Sequence, residues 1–138
     1  MRDITPASGI KIKEYLYSTE GKELDSATID ASAVSTVDSD SKKYLNKGVV
    51  LARITSPVAA SGLVGPYSST ASDGRQSTAN IVGINDTFAD LSDGDKEVGV
   101  LVRGTVNEDQ VEFNGSVGPH TELTKGYFRT SGLDILFK

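Results

Sequence analysis

The sequence predicts a mainly β, compact domain of the barrel or sandwich type, with one or two short helices and an extended N-terminal arm. Two observations support this fold class. From residue 48 onward, short apolar segments rich in β-branched residues alternate with glycine, proline and Asp-Gly turn signals, and a single stretch, residues 121–130, has helical spacing. The length of 138 residues is that of one domain, so we expect one compact unit with an appendage.

The first strand of the predicted domain is Gly48–Thr55, a nearly continuous apolar segment of strand length that ends before Pro57. Pro66 lacks an amide hydrogen, which restricts the segment around it to an edge strand or an extended connection. Residues 68–77 are small and polar and contain the turn signal Asp73-Gly74. We therefore expect a loop between the first strand and the next.

Two further strands are predicted in the middle of the chain. Ala79–Ile84 is the first, and residues 98–106 show the clearest alternation in the sequence. The residues that share one face of this second strand are Val98, Val100, Val102, Gly104 and Val106. We expect Val100 and Val102 to belong to the central core.

The C-terminal part predicts a helix followed by a strand. Leu123 and Tyr127 are four positions apart, and Gly132 stands in the usual stop position for a helix over residues 121–130. Residues 133–137 then alternate between apolar and other positions. The C-terminus is therefore expected to join the sheet.

The segment upstream of Asn46 differs in composition. Residues 18–43 are mainly polar and have isolated apolar side chains without a regular period, so they bury too little surface to offset about 1–2 kcal/mol of ordering per residue. We divide the chain into an N-terminal arm, residues 1–46, which is flexible or contacts a partner, and a β-rich domain, residues 47–138.

Within the arm, one short segment has the pattern of a strand. Ile10 and Ile12 share one face, and Tyr15 and Tyr17 share another. An extended segment of this kind can add to the edge of another sheet, where backbone hydrogen bonds supply affinity. We predict that these four residues bind a partner.

Composition excludes several classes of function. With 19 acidic and 14 basic side chains the net charge is −5, the wrong sign for binding a phosphate backbone, so we expect no direct nucleic-acid ligand. No stretch approaches the ~20 apolar residues of a membrane span, and the N-terminus has no apolar signal region. We expect a soluble, non-secreted protein that does not contact a membrane.

The sequence also has no recognisable catalytic motif. It contains one histidine, His120, and no cysteine, so neither a multi-histidine nor a thiolate metal site is possible. The acidic residues between Asp86 and Asp95 miss the spacing of a calcium loop. No nucleophile elbow, dinucleotide fingerprint or phosphate loop occurs. We predict no enzymatic activity, no cofactor and no metal, and expect a structural or binding role.

Read in order, the downstream elements resemble the lambda-type head decoration proteins of tailed bacteriophages. The resemblance covers the C-terminal two-thirds of the chain and depends on the order of its parts more than on any one of them. Those parts are Gly48–Thr55, Pro66-Tyr67, Asp73-Gly74, Ala79–Ile84, Val100-Leu101-Val102-Arg103-Gly104 with Val106, and Gly132-Leu133-Asp134-Ile135.

This resemblance implies a β-rich homotrimer on the outside of an expanded icosahedral capsid, at three-fold and quasi-three-fold positions. The protein would bind the major capsid protein and stabilise the shell against packaged DNA, after a period in the host cytoplasm during assembly. No catalytic residues are carried over, because the family has none. The alternative is another virion or cell-surface β module, such as a tail-associated or carbohydrate-binding domain, for which Tyr15, Tyr17 and Tyr67 are the candidate stacking residues.

Overall fold

The computed structural model describes residues 15–118 and 120–138, and these residues form a mainly β domain, as the sequence predicts. Four short 3₁₀ turns connect the elements within the described residues. The regular elements are β1 (Leu16–Ile29), β2 (Tyr44–Leu45), β3 (Val50–Arg53), β4 (Val64–Pro66), β5 (Ile81–Asn85), β6 (Ala89–Asp90), β7 (Lys96–Val106), β8 (Glu112–Phe113), β9 (Ser116–Val117), α1 (Glu122–Thr130) and β10 (Asp134–Phe137).

Five strands close into a ring, which makes the central sheet a small barrel. The strand order of this six-stranded sheet is β1-β4-β3-β5-β7-β10, and β7 also pairs with β1, so β10 is the one strand of the sheet outside the ring. The β1–β7 pairing is antiparallel and runs from Leu16 opposite Val106 to Ile29 opposite Lys96. By contrast, β1 meets β4 at a single register position, Ile29 opposite Val64. The pairing between β1 and β4 is therefore the shortest of the five strand pairings that close the ring.

The ring strands bury both faces, so the domain has two apolar clusters. The cluster called inner takes side chains from β1, β3, β4 and β7, including Ile29, Leu51 and Val100, and also contains Leu45 of β2 and Ala89 of β6. The outer cluster lies on the opposite faces of β3, β5 and β7 and is covered by Phe128 of α1. Side chains alternate across a strand, which is how one strand contributes to both clusters.

The predicted helix and the C-terminal strand are confirmed. Thr121 precedes α1, and its Oγ1 accepts a hydrogen bond of 3.1 Å from the Thr124 amide, the usual arrangement at a helix start. Leu133, Ile135 and Phe137 are half-buried against the outer cluster. No helix within residues 15–118 and 120–138 combines the length and apolarity needed to cross a bilayer.

The expectation that residues 18–43 lack regular structure is wrong, and so is the boundary at Asn46. Residues 16–29 form β1, and β2 pairs with β6, so both strands belong to the same fold as residues 47–138. β1 is held by backbone pairing along the length of β7, while most β1 side chains are exposed to solvent. A strand held in this way needs few apolar residues, which is why composition did not reveal it.

The assignment of Val102 to the core is also corrected. Val98 and Val100 lie in the inner cluster, whereas Val102 is half-buried beside a groove. Leu101, on the other face, is fully buried in the outer cluster. Strand β7 is thus covered on both faces near Val100. The alternation of valines continues past this point, so it does not show that the burial of that face ends before Val102.

Candidate functional site: a groove beside strand β1

The main candidate site is a groove of about 460 Å³ that opens where β1 separates from β4. Past the Ile29–Val64 pair, no strand among the described residues pairs with this side of β1, so residues 25–27 form one wall of the groove. Arg53, Gly62 and Ser131–Leu133 also line the groove.

The exposed lining of the groove is mostly polar, and four valines are among its apolar members. Val64 and Val100 are each 2% exposed and belong to the inner cluster, whereas Val82 and Val102 are half-buried. The lining therefore combines polar groups with a few half-buried apolar side chains.

The backbone of Ser26 faces into the groove. Ser26 lies opposite Gly99 of β7, but the Gly99 carbonyl accepts the Asp86 amide at 2.8 Å and the Gly99 amide donates to Thr87 Oγ1 at 3.1 Å. Opposed residues in an antiparallel pair exchange both hydrogen bonds or neither. The Ser26 amide therefore points away from β7, where it donates to Asp25 Oδ1 at 2.9 Å.

The end wall is built by the C-terminus of α1. Gly132 has a φ of 82°, the left-handed conformation that glycine adopts without strain after a helix. The Leu133 amide then returns to the Phe128 carbonyl at 2.9 Å, and Ser131 Oγ donates to the Thr78 carbonyl at 2.9 Å. The first bond closes the helix end, and the Ser131 bond attaches it to the 3₁₀ turn that leads into β5.

The structure separates the residues predicted to bind a partner. Ile10 and Ile12 lie outside the described residues. Tyr15 is fully buried, its hydroxyl donates to Asp86 Oδ1, and its carbonyl accepts the Asn107 amide at 2.6 Å. Tyr17 is 60% exposed, because a register shift between Leu16 and Ser18 breaks the alternation. Tyr15 is thus engaged within its own domain, while Tyr17 is accessible.

Sequence reasoning missed the groove residues Asp25, Ser26, Arg53 and Val82. The one local signal was the alternation of Ala27 and Ile29, which marks the buried end of β1. Nothing in the sequence indicates that β1 and β4 part at this point, because that separation depends on how the ring closes.

A second groove, of about 540 Å³, lies beside Tyr67 and Arg75. Arg75 is engaged within the chain, since its Nε lies 3.0 Å from Asp73 Oδ2 and its Nη1 donates to the Pro66 carbonyl at 3.0 Å. The Tyr67 ring is 8% exposed and stacks on Phe113, and burial raises the pKa of its hydroxyl. This groove is polar, but its aromatic ring is covered.

The acidic residues of the middle segment do not converge. Asp86 contacts Tyr15 and Lys22, Asp90 accepts from Ser92, and Asp95 accepts the Ala31 amide. Within residues 15–118 and 120–138, no cluster of three or more histidine and acidic side chains is placed to hold a metal ion.

His120 and its neighbours have structural contacts. Its Nε2 lies 2.8 Å from the Val111 carbonyl, and its ring packs edge-on against Phe113 and Phe137. Glu108 Oε1 accepts the Lys125 ammonium at 2.8 Å and the His120 amide at 3.2 Å. The hydrogen bonds from Lys125 and then from His120 hold the pKa of Glu108 below its usual range.

Comparison with known proteins gave no matching family model and no curated relative with significant similarity.

Proposed function

We propose that this protein is a virion structural protein that binds the outside of an expanded icosahedral phage capsid as trimers, at three-fold and quasi-three-fold positions. The observation that supports the proposal most is the position of the segments that carry the resemblance. Four of the six segments coincide, in chain order, with β3, β5, β7 and β10, four strands of one sheet, and Pro66 ends β4 of the same sheet. Most of the resemblance therefore concerns the central framework of the domain, while Asp73-Gly74 lies in a loop.

The proposed mechanism uses the N-terminal segment as a connector. Ile10 and Ile12 alternate as in a strand, and Tyr17 is exposed where β1 begins. The burial of Tyr15 gives this segment a firm anchor in the domain. Addition of the segment to a sheet edge outside its own domain would supply affinity through backbone hydrogen bonds.

Trimer formation strengthens such contacts. Three modest sites on one trimer reinforce each other, because binding at one site raises the effective concentration of the others. A ligand that binds only the expanded shell then stabilises that shell by mass action. The partners are the major capsid protein and two further copies of this chain.

Cosedimentation tests the proposal. The full-length protein is mixed with purified expanded and unexpanded phage heads that lack their own decoration protein. We expect the protein to sediment with expanded heads alone and to raise the temperature at which they rupture. Equal binding to both forms, or no binding to either, would contradict capsid decoration.

A carbohydrate-binding or tail-associated module is the alternative. The polar residues of the second groove, including Ser68, Thr70 and Asn114, are compatible with sugar hydroxyls. Binding to a glycan array by the isolated protein, abolished by Asn114→Ala, would favour this alternative over decoration.

A further inference from the structure

We infer that the outer edge of β10 pairs with β10 of a second copy of this chain, in an antiparallel, two-fold arrangement centred on Leu136. Strand β10 is open to such pairing, since β7 is its one strand partner among residues 15–118 and 120–138. The inference goes beyond the proposed function, because a two-fold contact between identical strands cannot by itself build a trimer. It would join copies that belong to different trimers, or pair copies before they reach a particle.

The backbone of β10 presents donors and acceptors at this edge. The Lys138 amide donates to the Val106 carbonyl at 2.9 Å, and the Lys138 carbonyl accepts the Glu108 amide at 3.0 Å, so both groups of Lys138 point toward β7. Successive residues of a strand direct their backbone groups to opposite sides, so those of Ile135 and Phe137 point away from β7. No backbone hydrogen bond from another described residue reaches them there. A second strand can therefore bind at this edge through its backbone.

The side chains of β10 are exposed where such a strand would lie. Asp134, Leu136 and Lys138 face solvent, and Leu136 is 54% exposed. Proteins usually protect an edge strand with a charged side chain, a proline or a bulge. Strand β10 has a leucine at its centre instead, so pairing there would remove apolar surface from water.

Two antiparallel copies of β10 are complementary in one register. With Leu136 opposite the same residue of the second copy, Asp134 lies opposite Lys138 at both ends of the pair. Ile135 and Phe137 then also lie opposite each other, and as a hydrogen-bonded pair they exchange both backbone bonds. Opposite charges and apolar side chains that face each other across antiparallel strands stabilise the pairing. Backbone, charge and apolar contacts are thus satisfied together.

Neighbouring two-fold registers lose these contacts. Sliding the strands by two residues places Asp134 opposite Leu136 in one direction and Leu136 opposite Lys138 in the other. Both charges are accessible to a second copy. Within residues 15–118 and 120–138 the Lys138 ammonium has no ion-pair partner, and Asp134 lies 3.4 Å from Arg103 in a contact between exposed side chains.

Disulfide trapping tests the inference, because the chain has no cysteine of its own. Opposed residues of a non-hydrogen-bonded antiparallel pair have Cα atoms about 4.5 Å apart, which is within the range of a disulfide. We expect full-length Leu136→Cys to form a crosslinked dimer in a thiol–disulfide redox buffer without capsids. Val117→Cys is the matched control, because Val117 is 50% exposed and lies on β9, outside this sheet. Its dimer yield should be several-fold lower.

Charge exchange tests the register. Lys138→Asp places Asp134 opposite a second acid, and Asp134→Lys places Lys138 opposite a second cation, so each variant alone should dimerise about tenfold more weakly in light scattering. Mixing the two variants restores opposite charges at both ends, and we expect a heterodimer of about the natural affinity. Loss of the Asp134–Arg103 contact has little effect on folding, because both side chains are more than half exposed. Melting curves verify that each variant is folded.

Equal yields of Leu136→Cys and Val117→Cys dimers would overturn the inference, and so would a mixture of the charge variants that associates no better than either alone. Such results would assign the β10 edge to another occupant, such as a segment of the same chain or a strand of the capsid. Dimerisation without binding to expanded heads would retain this contact and reject decoration. Binding to heads by a protein that gives neither crosslink nor heterodimer would retain decoration and reject this contact.

Discussion

The hydroxyl of Tyr15 donates a hydrogen bond to the carboxylate of Asp86, a residue 71 positions further along the chain. The Tyr15 side chain is fully buried, and Lys22 Nζ lies 3.8 Å from the other oxygen of Asp86. This contact joins the start of β1 to the segment that follows β5. The first described residue is therefore part of the core, and β1 is held at its beginning as well as along β7.

Tyr15→Phe should destabilise the domain by about 1–3 kcal/mol, because it leaves the Asp86 carboxylate without its buried donor. Denaturant unfolding measures the loss. Tyr17→Phe is the matched control, since this side chain is 60% exposed, and its effect should stay within about 0.5 kcal/mol. Equal effects of the two substitutions would mean that the Tyr15–Asp86 hydrogen bond contributes nothing to stability.

Gly83→Ala should be among the most damaging single-methyl substitutions in the ring. A Cβ at this position would lie 2.5 Å from both the Leu101 carbonyl oxygen and Val100 Cγ1, and the φ of 148° is unfavourable for alanine.

Gly94→Ala is the control for Gly83→Ala, because Gly94 also has a positive φ, 123°, but open space at Cβ. We expect Gly94→Ala to cost about 1 kcal/mol and Gly83→Ala at least twice as much. Thermal melting of both variants makes the comparison. Similar losses would show that β5 and β7 move apart easily.

Val100→Asp and Val102→Asp should differ sharply. Val100 is 2% exposed in the inner cluster, so a carboxylate there would be buried without a partner and should unfold the domain. Val102 is half-buried beside an open groove, where a carboxylate reaches water. We expect Val102→Asp to fold, as judged by circular dichroism and melting. Unfolding of both variants would place Val102 in the closed core.

Glu108→Gln should lower stability by about 1 kcal/mol at neutral pH, because it removes the charge that accepts the Lys125 ammonium. Both side chains are less than one-fifth exposed, which limits screening by solvent. The loss should be measured from denaturant unfolding across a pH series.

The pH dependence of this difference follows from the lowered pKa of Glu108. A carboxyl whose pKa is lower in the folded state contributes stability that is complete above its unfolded value of about 4.3 and declines as the pH falls through the folded value. The gap between the natural protein and Glu108→Gln should therefore be constant from neutral pH to about pH 5 and shrink below it. A gap that widens on acidification would contradict the assigned ion pair.

Much of the fold was predictable because its signals are local. The apolar segment around β3, the helix that begins after Thr121 and the alternation of Leu133, Ile135 and Phe137 all appear in the structure. Each depends on side-chain spacing within one element. The spacing of apolar side chains shows which face of an element is apolar. It does so without any information about what packs against that face.

Strand β1 was not predictable in this way. It is held mainly by the backbone of β7, and its exposed polar side chains resemble those of a segment without structure. Tyr15 and Tyr17, which one strand face would bring together, are separated by the register shift after Leu16. Both features depend on pairing with residues about eighty positions away, a relation that no local pattern encodes.

The sequence by itself therefore determined the β class, the helix, the C-terminal strand and the absence of recognisable catalytic motifs, because composition and periodicity act over a few residues. Only the tertiary structure decided that β1 completes a ring, that Tyr15 is buried, and that a groove lined by Asp25, Val82 and Val102 opens where β1 leaves β4. The physical reason is that a ring closes through pairings between distant strands. β1 and β4 pair only at Ile29 and Val64. This one pairing closes the ring, and beyond it the two strands are not hydrogen-bonded to each other.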